Sequence, residues 1–466
     1  MKDANFSGST WSAAVAWLDT ILGERLSSQL RLMQSEAGYL RITLPGSGAS
    51  IRIASDPATF SQAHSDLPCC HWDAKAEGWR PVLCLPLPAP GANNLPIPLI
   101  EHTVAGYTIR YDILGLVYWM LSRQEEVNRT DLDQHGRFPA VSSHAYKHHY
   151  LERPVVDEWL AILAQVVQRT WPALTLTRHT FAVRLSHDVD TPARYGFTSF
   201  GRLLRTMAGD ILRRRKPLEA IQAPAIWMHS KEKLHTRDPF NTFNWIMDVS
   251  EQHGLTSAFY FICGRTHPSL DALYNPRHPA IRELMRRIHA RGHEIGLHPS
   301  YNTYQAPESI ASEARALLEI CEEEGIAQKK WGGRMHYLRW QTPGTLYGWV
   351  QAGMAYDSTL SYAERPGFRC GTCHEYPAFD PVAGKALSLR IRPLIAMECT
   401  VMAPRYMNLG SGDAALKKFT ELKEACRAVR GTFTLLWHNT LLEQPQERAL
   451  YKNLLDHEPA EDAAAR

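Results

Sequence analysis

Phe181-Ala-Val-Arg-Leu-Ser-His187-Asp188-Val189-Asp190 is the stretch on which the fold turns. A short, apolar-rich run of strand length leads directly into a cluster of histidine and aspartate. From Thr177 onward the chain repeats this design, with strand-like runs at 181–185, 257–262, 294–297, 395–401 and 432–437. Longer amphipathic stretches separate them. Ile281, Leu284, Met285 and Ile288 share one helical face that Gly292 ends. Ile310, Ala314, Leu317, Leu318 and Cys321 share another, opened by Pro307 and closed by Gly325. Leu416, Phe419, Leu422, Cys426 and Val429 make a third, closed by Gly431. Helices of this kind between strands predict an α/β fold with a parallel sheet, open or closed into a barrel.

In parallel α/β folds, reactive side chains sit at the carboxyl ends of strands. The polar clusters fall there: His187, Asp188 and Asp190 after the first run, His298 after 294–297, and His438-Asn439 after 432–437. Hydrolysing an unactivated amide or ester at neutral pH needs a hydroxide equivalent, an electrophile for the developing oxyanion and an acid for the leaving group. A divalent cation held by two imidazoles and a carboxylate, with a position left open, supplies the first two. A second carboxylate can take a proton from water, and a histidine from another strand can protonate the leaving nitrogen. Taken singly, each residue has a plainer reading: a strand-end aspartate caps turns, a histidine before Pro299 ends a strand, and His438 fits a core histidine.

The first 175 residues read as a separate mixed α/β domain. The proline-rich stretch 81–98 allows only extended backbone, and 111–123 and 155–167 carry apolar residues at helical spacing, with Pro154 in a first-turn position. Residues 176–445 form the strand–helix domain, with a basic helical insertion at about 192–240, and 446–466 read as a frayed tail. Within the insertion, Arg202, Arg205, Arg213, Arg214, Arg215 and Lys216 alternate with apolar residues. That pattern fits either a solvated helix face or peripheral contact with anionic lipid or polysaccharide. Overall charge is nearly balanced, 51 Lys plus Arg against 48 Asp plus Glu, which excludes a broad nucleic-acid footprint. No run of apolar residues is long enough to span a membrane. Nine scattered cysteines and a first segment unlike a signal peptide lead to the expectation of a cytoplasmic protein.

The order SHDVD (186–190), FYFICG (259–264), GHEIGLHPS (292–300), GGRMHYLRW (332–340), YDSTLSY (356–362) and LLWHN (435–439) resembles the NodB-homology polysaccharide deacetylases, carbohydrate esterase family four, over about residues 178–440. The resemblance implies a distorted (β/α) barrel of seven strands, a divalent metal that is usually zinc, and removal of acetyl groups from N-acetylated sugars of bacterial surface or exopolysaccharide. It makes Asp188 the catalytic base, Asp190 and His298 metal ligands, and His438 the general acid. Arg334 or Arg339 would hold the base, Asp357 would tune its surroundings, and Tyr337 would contact substrate. Two departures stand out: Val189 separates aspartates that are usually adjacent, and Asn302 stands where a second ligand histidine is expected. His336 is the favoured substitute and His293 a weaker one. Arg369 is expected on a loop at the mouth of the barrel, binding a sugar carboxylate or phosphate, with a structural ion pair as the alternative. Segments 122–126 and 135–139 look like the uncharacterised region that precedes this divergent subgroup. Asn302 also motivates a rival reading, a non-catalytic glycan-binding or scaffold protein; a hydrolase of O-acetyl esters or non-sugar amides is a third. Cys370-Gly-Thr-Cys373-His374 matches a haem-attachment pattern that requires export, and as a zinc pair it lacks a second CxxC.

Overall fold

A computed structural model describes residues 8–35 and 38–456 of the chain. The N-terminal region opens with the helix Gly8–Arg25 and continues through β1 (Arg31–Gln34), β2 (Tyr39–Thr43), β3 (Ser50–Ala54), β4 (Cys69–Trp72), β5 (Leu87–Pro90), β6 (Ile100–Thr103) and β7 (Gly106–Ile109). Five of these make a sheet in the order β1-β2-β3-β7-β6, and β4 pairs with β5 alone. Burial alternates along β2 and β3, with Leu40, Ile42, Ile51 and Ile53 inward, as expected of strands with one covered face. The helices Ile113–Leu121 and Val155–Thr170 lie within the predicted helical stretches or extend them by a few residues. The first is buried on every side, and Asp112 caps it by accepting from the Gly115 N–H. The proline-rich stretch is extended where it forms β5.

The remaining strands are β8 (Ala182–Val189), β9 (Ser257–Phe261), β10 (Glu294–Leu297), β11 (Gly332–Gly333), β12 (Tyr356–Asp357), β13 (Tyr376–Asp380), β14 (Lys385–Ile391), β15 (Ala396–Met397) and β16 (Thr432–Leu436). They form one sheet in the order β13-β14-β12-β11-β10-β9-β8-β16-β15, parallel throughout except for β13. Crossover helices include Phe243–Gln252, Pro279–Ala290, Pro307–Glu323, Gly344–Gln351 and Asp413–Ala428. The pairing order ends at β13 and β15, so strand pairing alone does not close the sheet into the expected distorted seven-stranded barrel. One chain segment nevertheless touches both sides of the opening: β14 pairs with β12, and β15, a few residues later, pairs with β16. Pro393 lies between them without an N–H to donate, so only isolated bonds bridge the gap, from Leu394 N to Leu360 O and from Ile395 N to Thr434 O. The predicted strand at 395–401 is likewise corrected to the two residues of β15 followed by the helix Glu398–Met402.

The two regions share one hydrophobic core. Trp17 packs its ring 5.0 Å from that of Phe379 and donates its indole N–H to Pro377 O. Arg369, expected at the mouth of the sheet, lies buried in this seam. It is paired with Glu126 of the N-terminal region, which Arg123 also holds. Burial of the pair keeps Arg369 from any substrate. At the C-terminus, the helix Pro445–Asp456 replaces part of the expected tail, and 457–466 lie outside the described residues.

Candidate active site and metal centre

Four parallel strands deliver five polar side chains to the carboxyl end of the sheet. Asp188 lies near the end of β8 and Asp190 just past it, His298 follows β10, His336 follows β11, and His438 follows β16. Gly333 is required in β11, because a Cβ there would sit 1.8 Å from Leu297 O; this close approach brings the Arg334–His336 segment in beside His298. Asp190, His298 and His336 offer ligand atoms that all lie within 4.8 Å of one another. His298 Nε2 is 3.2 Å from Asp190 Oδ1 and His336 Nε2 is 3.7 Å from the same oxygen, yet that buried oxygen accepts no hydrogen bond. A buried carboxylate oxygen left unsatisfied between two imidazoles is costly by itself, and it is the donor set that a divalent cation satisfies. The outer nitrogens fix the rings: His298 Nδ1 donates to Arg334 O at 2.6 Å, and His336 Nδ1 pairs with Asp271 Oδ1 at 3.0 Å. Both Nε2 atoms are thereby turned inward, as ligand histidines require.

Electrostatics match the geometry. Burial would raise the pKa of Asp190, but His336, His298 and His438 hold it well below the usual carboxylate range. Burial works against charge on His298 too, yet Asp188 and Asp190 raise its pKa above the ordinary value. A proton and a metal ion would compete for that ring. Burial likewise opposes charge on His438, but Glu398, 2.6 Å from Nδ1, together with Asp190 and Asp188, pushes its pKa up to about 10. His438 Nε2 lies 3.6 Å from Asp190 Oδ2. Asp188 stands beside the cluster, its Oδ1 held by Arg334 Nη1 at 2.8 Å and its Oδ2 3.7 Å from His298 Nε2.

The other predicted residues divide. Arg334 is fully buried and binds Asp188, Ser186 Oγ and Ser358 O. Arg339 does not reach Asp188; it donates instead to His135 O and Tyr301 O. Asp357 accepts from Thr359, and burial raises its pKa to about 6, with no hydrogen bond to Asp188 or Arg334. Asn302 is turned away onto Thr266 and Arg339, and His293 sits at the opposite end of β10, accepting from Ser257 N. Spacing gave no warning of Asp271 or Glu398, because each acts through another residue's ring and lies in a loop or at a helix start.

The wall beside His336 is unusual. Tyr337 and Leu338 have φ of 61° and 55°, a conformation costing roughly 1–2 kcal/mol for each residue with a Cβ. Arg137, from the N-terminal region, donates to Tyr337 O at 2.9 Å and is itself fixed by Asp133. His135 packs its ring 4.9 Å from that of Tyr337. Tyr337, Leu338, Ala363, Met397 and Leu436 then line a cavity of about 140 Å3 that also contains Asp188, Asp190, His298, His336 and His438, with Arg137 and Arg405 at its edge. A wider cleft of about 380 Å3 shares Asp190, His336 and Tyr337 with it.

A second group of ligand-type residues, Asp157, Cys373 and His374, lies at the seam between the two regions. One oxygen of Asp157 takes bonds from Arg25 and Thr372 and the other takes the Cys373 N–H, while His374 Nε2 bonds to Val429 O. The Asp157 carboxylate is thus already engaged by a guanidinium and two further donors. A cavity of about 590 Å3 adjoins this cluster, lined by residues that precede β8 and β16 and not by those that follow them.

Residues 15–172 match a family described only as a family of unknown function, DUF7033. No curated protein matches the chain. Among solved structures, the chain is similar to one assigned to the polysaccharide deacetylases from Mycobacterium smegmatis, with a TM-score of 0.37 and 18% identity over 59% of this chain and 83% of that one. Puue allantoinase gives 0.36 and 14% identity over 64% and 87%. A structure from Pseudomonas aeruginosa PAO1, also assigned to the polysaccharide deacetylases, gives 0.35 and 14% over 62% and 86%. Likeness at this level assigns no activity to the chain.

Proposed function

We propose that the chain is a metal-dependent hydrolase that removes N-acetyl groups from a carbohydrate, with its parallel strands acting as a distorted barrel. The observation that carries this reading is the buried, unsatisfied oxygen of Asp190 between the inward-turned nitrogens of His298 and His336. A divalent cation, zinc being the best match to two imidazoles and a carboxylate, would supply Lewis acidity to the acyl oxygen and acidify a water. Asp188, kept in place by Arg334, accepts the proton of the attacking water. His438, kept protonated by Glu398, donates one to the leaving nitrogen. The two groups face the same small cavity, one placed to take a proton and the other to give one, which is the division of labour that acid–base catalysis requires.

Leu338, Ala363, Met397 and Leu436 give the cavity of about 140 Å3 an apolar floor suited to an acetyl methyl. The sugar would occupy the adjoining cleft, because the cavity is too small for it. Asn302 motivated the non-catalytic alternative; on this proposal His336, with Nε2 3.7 Å from Asp190 Oδ1, is the imidazole in its place. The test is acetate release from N-acetylated oligosaccharides by zinc-loaded protein. Turnover is expected for the wild type and its loss for Asp188→Asn with metal retained. Wild type that binds no zinc, cobalt, nickel or manganese at micromolar concentration overturns the reading.

A further inference from the structure

Two packed helices, Phe200–Leu212 and Pro217–His229, leave the sheet domain as a hairpin. Each has an inward face, formed by Leu203, Ala223 and Ile226 with Tyr195. Each also has a second apolar stripe turned outward. Phe200, Leu204 and Ile211 are exposed on the first helix and Leu218, Ile221 and Met228 on the second, at spacings that keep each set on one helical face. With Leu212, this hairpin carries seven of the fifteen exposed large hydrophobic side chains among the described residues. Clustering of that order on a domain surface marks a contact site.

The charges around the stripe choose the partner. Residues 200–229 hold six Lys and Arg against two acids. Arg214 and Lys216 are tied to Glu219 and Glu443, whereas Arg202, Arg205, Arg213 and Arg215 are exposed and form none of these pairs. An exposed apolar stripe on a hairpin that also carries exposed guanidinium groups, Arg205, Arg213 and Arg215 among them, suits the headgroup plane of an anionic bilayer. Among the described residues no helix is long and apolar enough to cross a membrane, so the contact would be peripheral.

We propose that this hairpin docks the protein on anionic membrane surfaces. Arg202 and Thr206, which line the cleft beside the metal centre, lie on the other side of the first helix from Phe200, Leu204 and Ile211. Docking therefore leaves the cleft open, and it stands independently of the chemistry performed there.

The test uses the full chain and two kinds of vesicle, phosphatidylcholine alone and phosphatidylcholine with phosphatidylglycerol in equal parts. Sedimentation with the anionic vesicles is expected, weakened at high salt. Leu204→Glu with Ile221→Glu should reduce it at least ten-fold, and so should Arg213→Glu with Arg215→Glu. The affected side chains are exposed, so unchanged circular dichroism should confirm that each variant folds. No sedimentation with either vesicle, equal binding to both, or binding that survives the substitutions overturns the proposal. So does a wild-type dimer in ultracentrifugation that Leu204→Glu dissociates, because the stripe would then serve a second copy of the chain.

Discussion

Two groups of residues in this protein have the composition of a metal site, and they differ in what their atoms have left to give. At the carboxyl ends of the strands, Asp190 keeps an oxygen without a hydrogen bond while His298 and His336 turn their Nε2 atoms toward it. At the seam between the regions, Asp157 is consumed by Arg25, Thr372 and the Cys373 N–H, and burial holds the Cys373 thiol protonated. Proximity of ligand-type residues therefore does not make a site; unspent coordinating capacity does. On the proposed reading the first group receives a cation, whereas the carboxylate of the second is already paired with Arg25.

The largest expected effect breaks the comparison directly. Asp190→Ala and His298→Ala should each abolish stoichiometric zinc binding in equilibrium dialysis, and Cys373→Ser and His374→Ala should preserve it. Reversed results would exchange the two assignments. Next, Asp157→Ala leaves the half-buried Arg25, Thr372 and the Cys373 N–H without their shared acceptor and should cost about 3 kcal/mol in urea unfolding, with zinc stoichiometry unchanged. Asp271→Asn removes the carboxylate that orients His336 and should weaken zinc about 10- to 100-fold; unaltered affinity would mean that His336 does not ligate. Arg137→Ala should weaken zinc less than Asp271→Asn does, because it loosens only the segment beside the ligand.

The smallest effect concerns pH, and it has opposite signs in the two groups of the metal-free protein. Burial pushes the His374 pKa down to about 4, so the unfolded chain binds a proton below about 6.5 that the folded chain refuses. Stability from this residue is present above pH 6.5 and is lost as pH falls toward 4. His298 is shifted upward, so its contribution is present below 6.5 and is lost as pH rises through its folded value. Between pH 7 and 5.5, removing His374 by His374→Gln should spare the protein about 1 kcal/mol of acid destabilisation. Denaturation curves at the two pH values check it, and parallel curves for wild type and variant would refute it.

Much of the sheet could be read directly. Strands β8, β9, β10 and β16 lie where short apolar runs stand between amphipathic helices, and the residues after them converge because parallel strands end on one side. Closure could not be read, since it depends on where Pro393 interrupts pairing between strands distant in sequence. Arg369 and Arg339 were misplaced for a related reason. A guanidinium near the mouth and one buried in a seam look alike until its carboxylate or carbonyl partner, here Glu126 or His135, is brought in from the N-terminal region. His336 drew notice because an imidazole was missing, and the fold brings it beside His298 and Asp190; Asp271 and Glu398 reach that cluster only through another side chain and leave no spacing to find.

Arg137 crosses from the N-terminal region to hold the left-handed Tyr337 beside His336. The boundary that separates the two regions along the chain is therefore no boundary in operation. Residues 176–445 grafted onto a foreign partner would carry the strand-end cluster without the Arg137 brace that shapes the wall of its pocket.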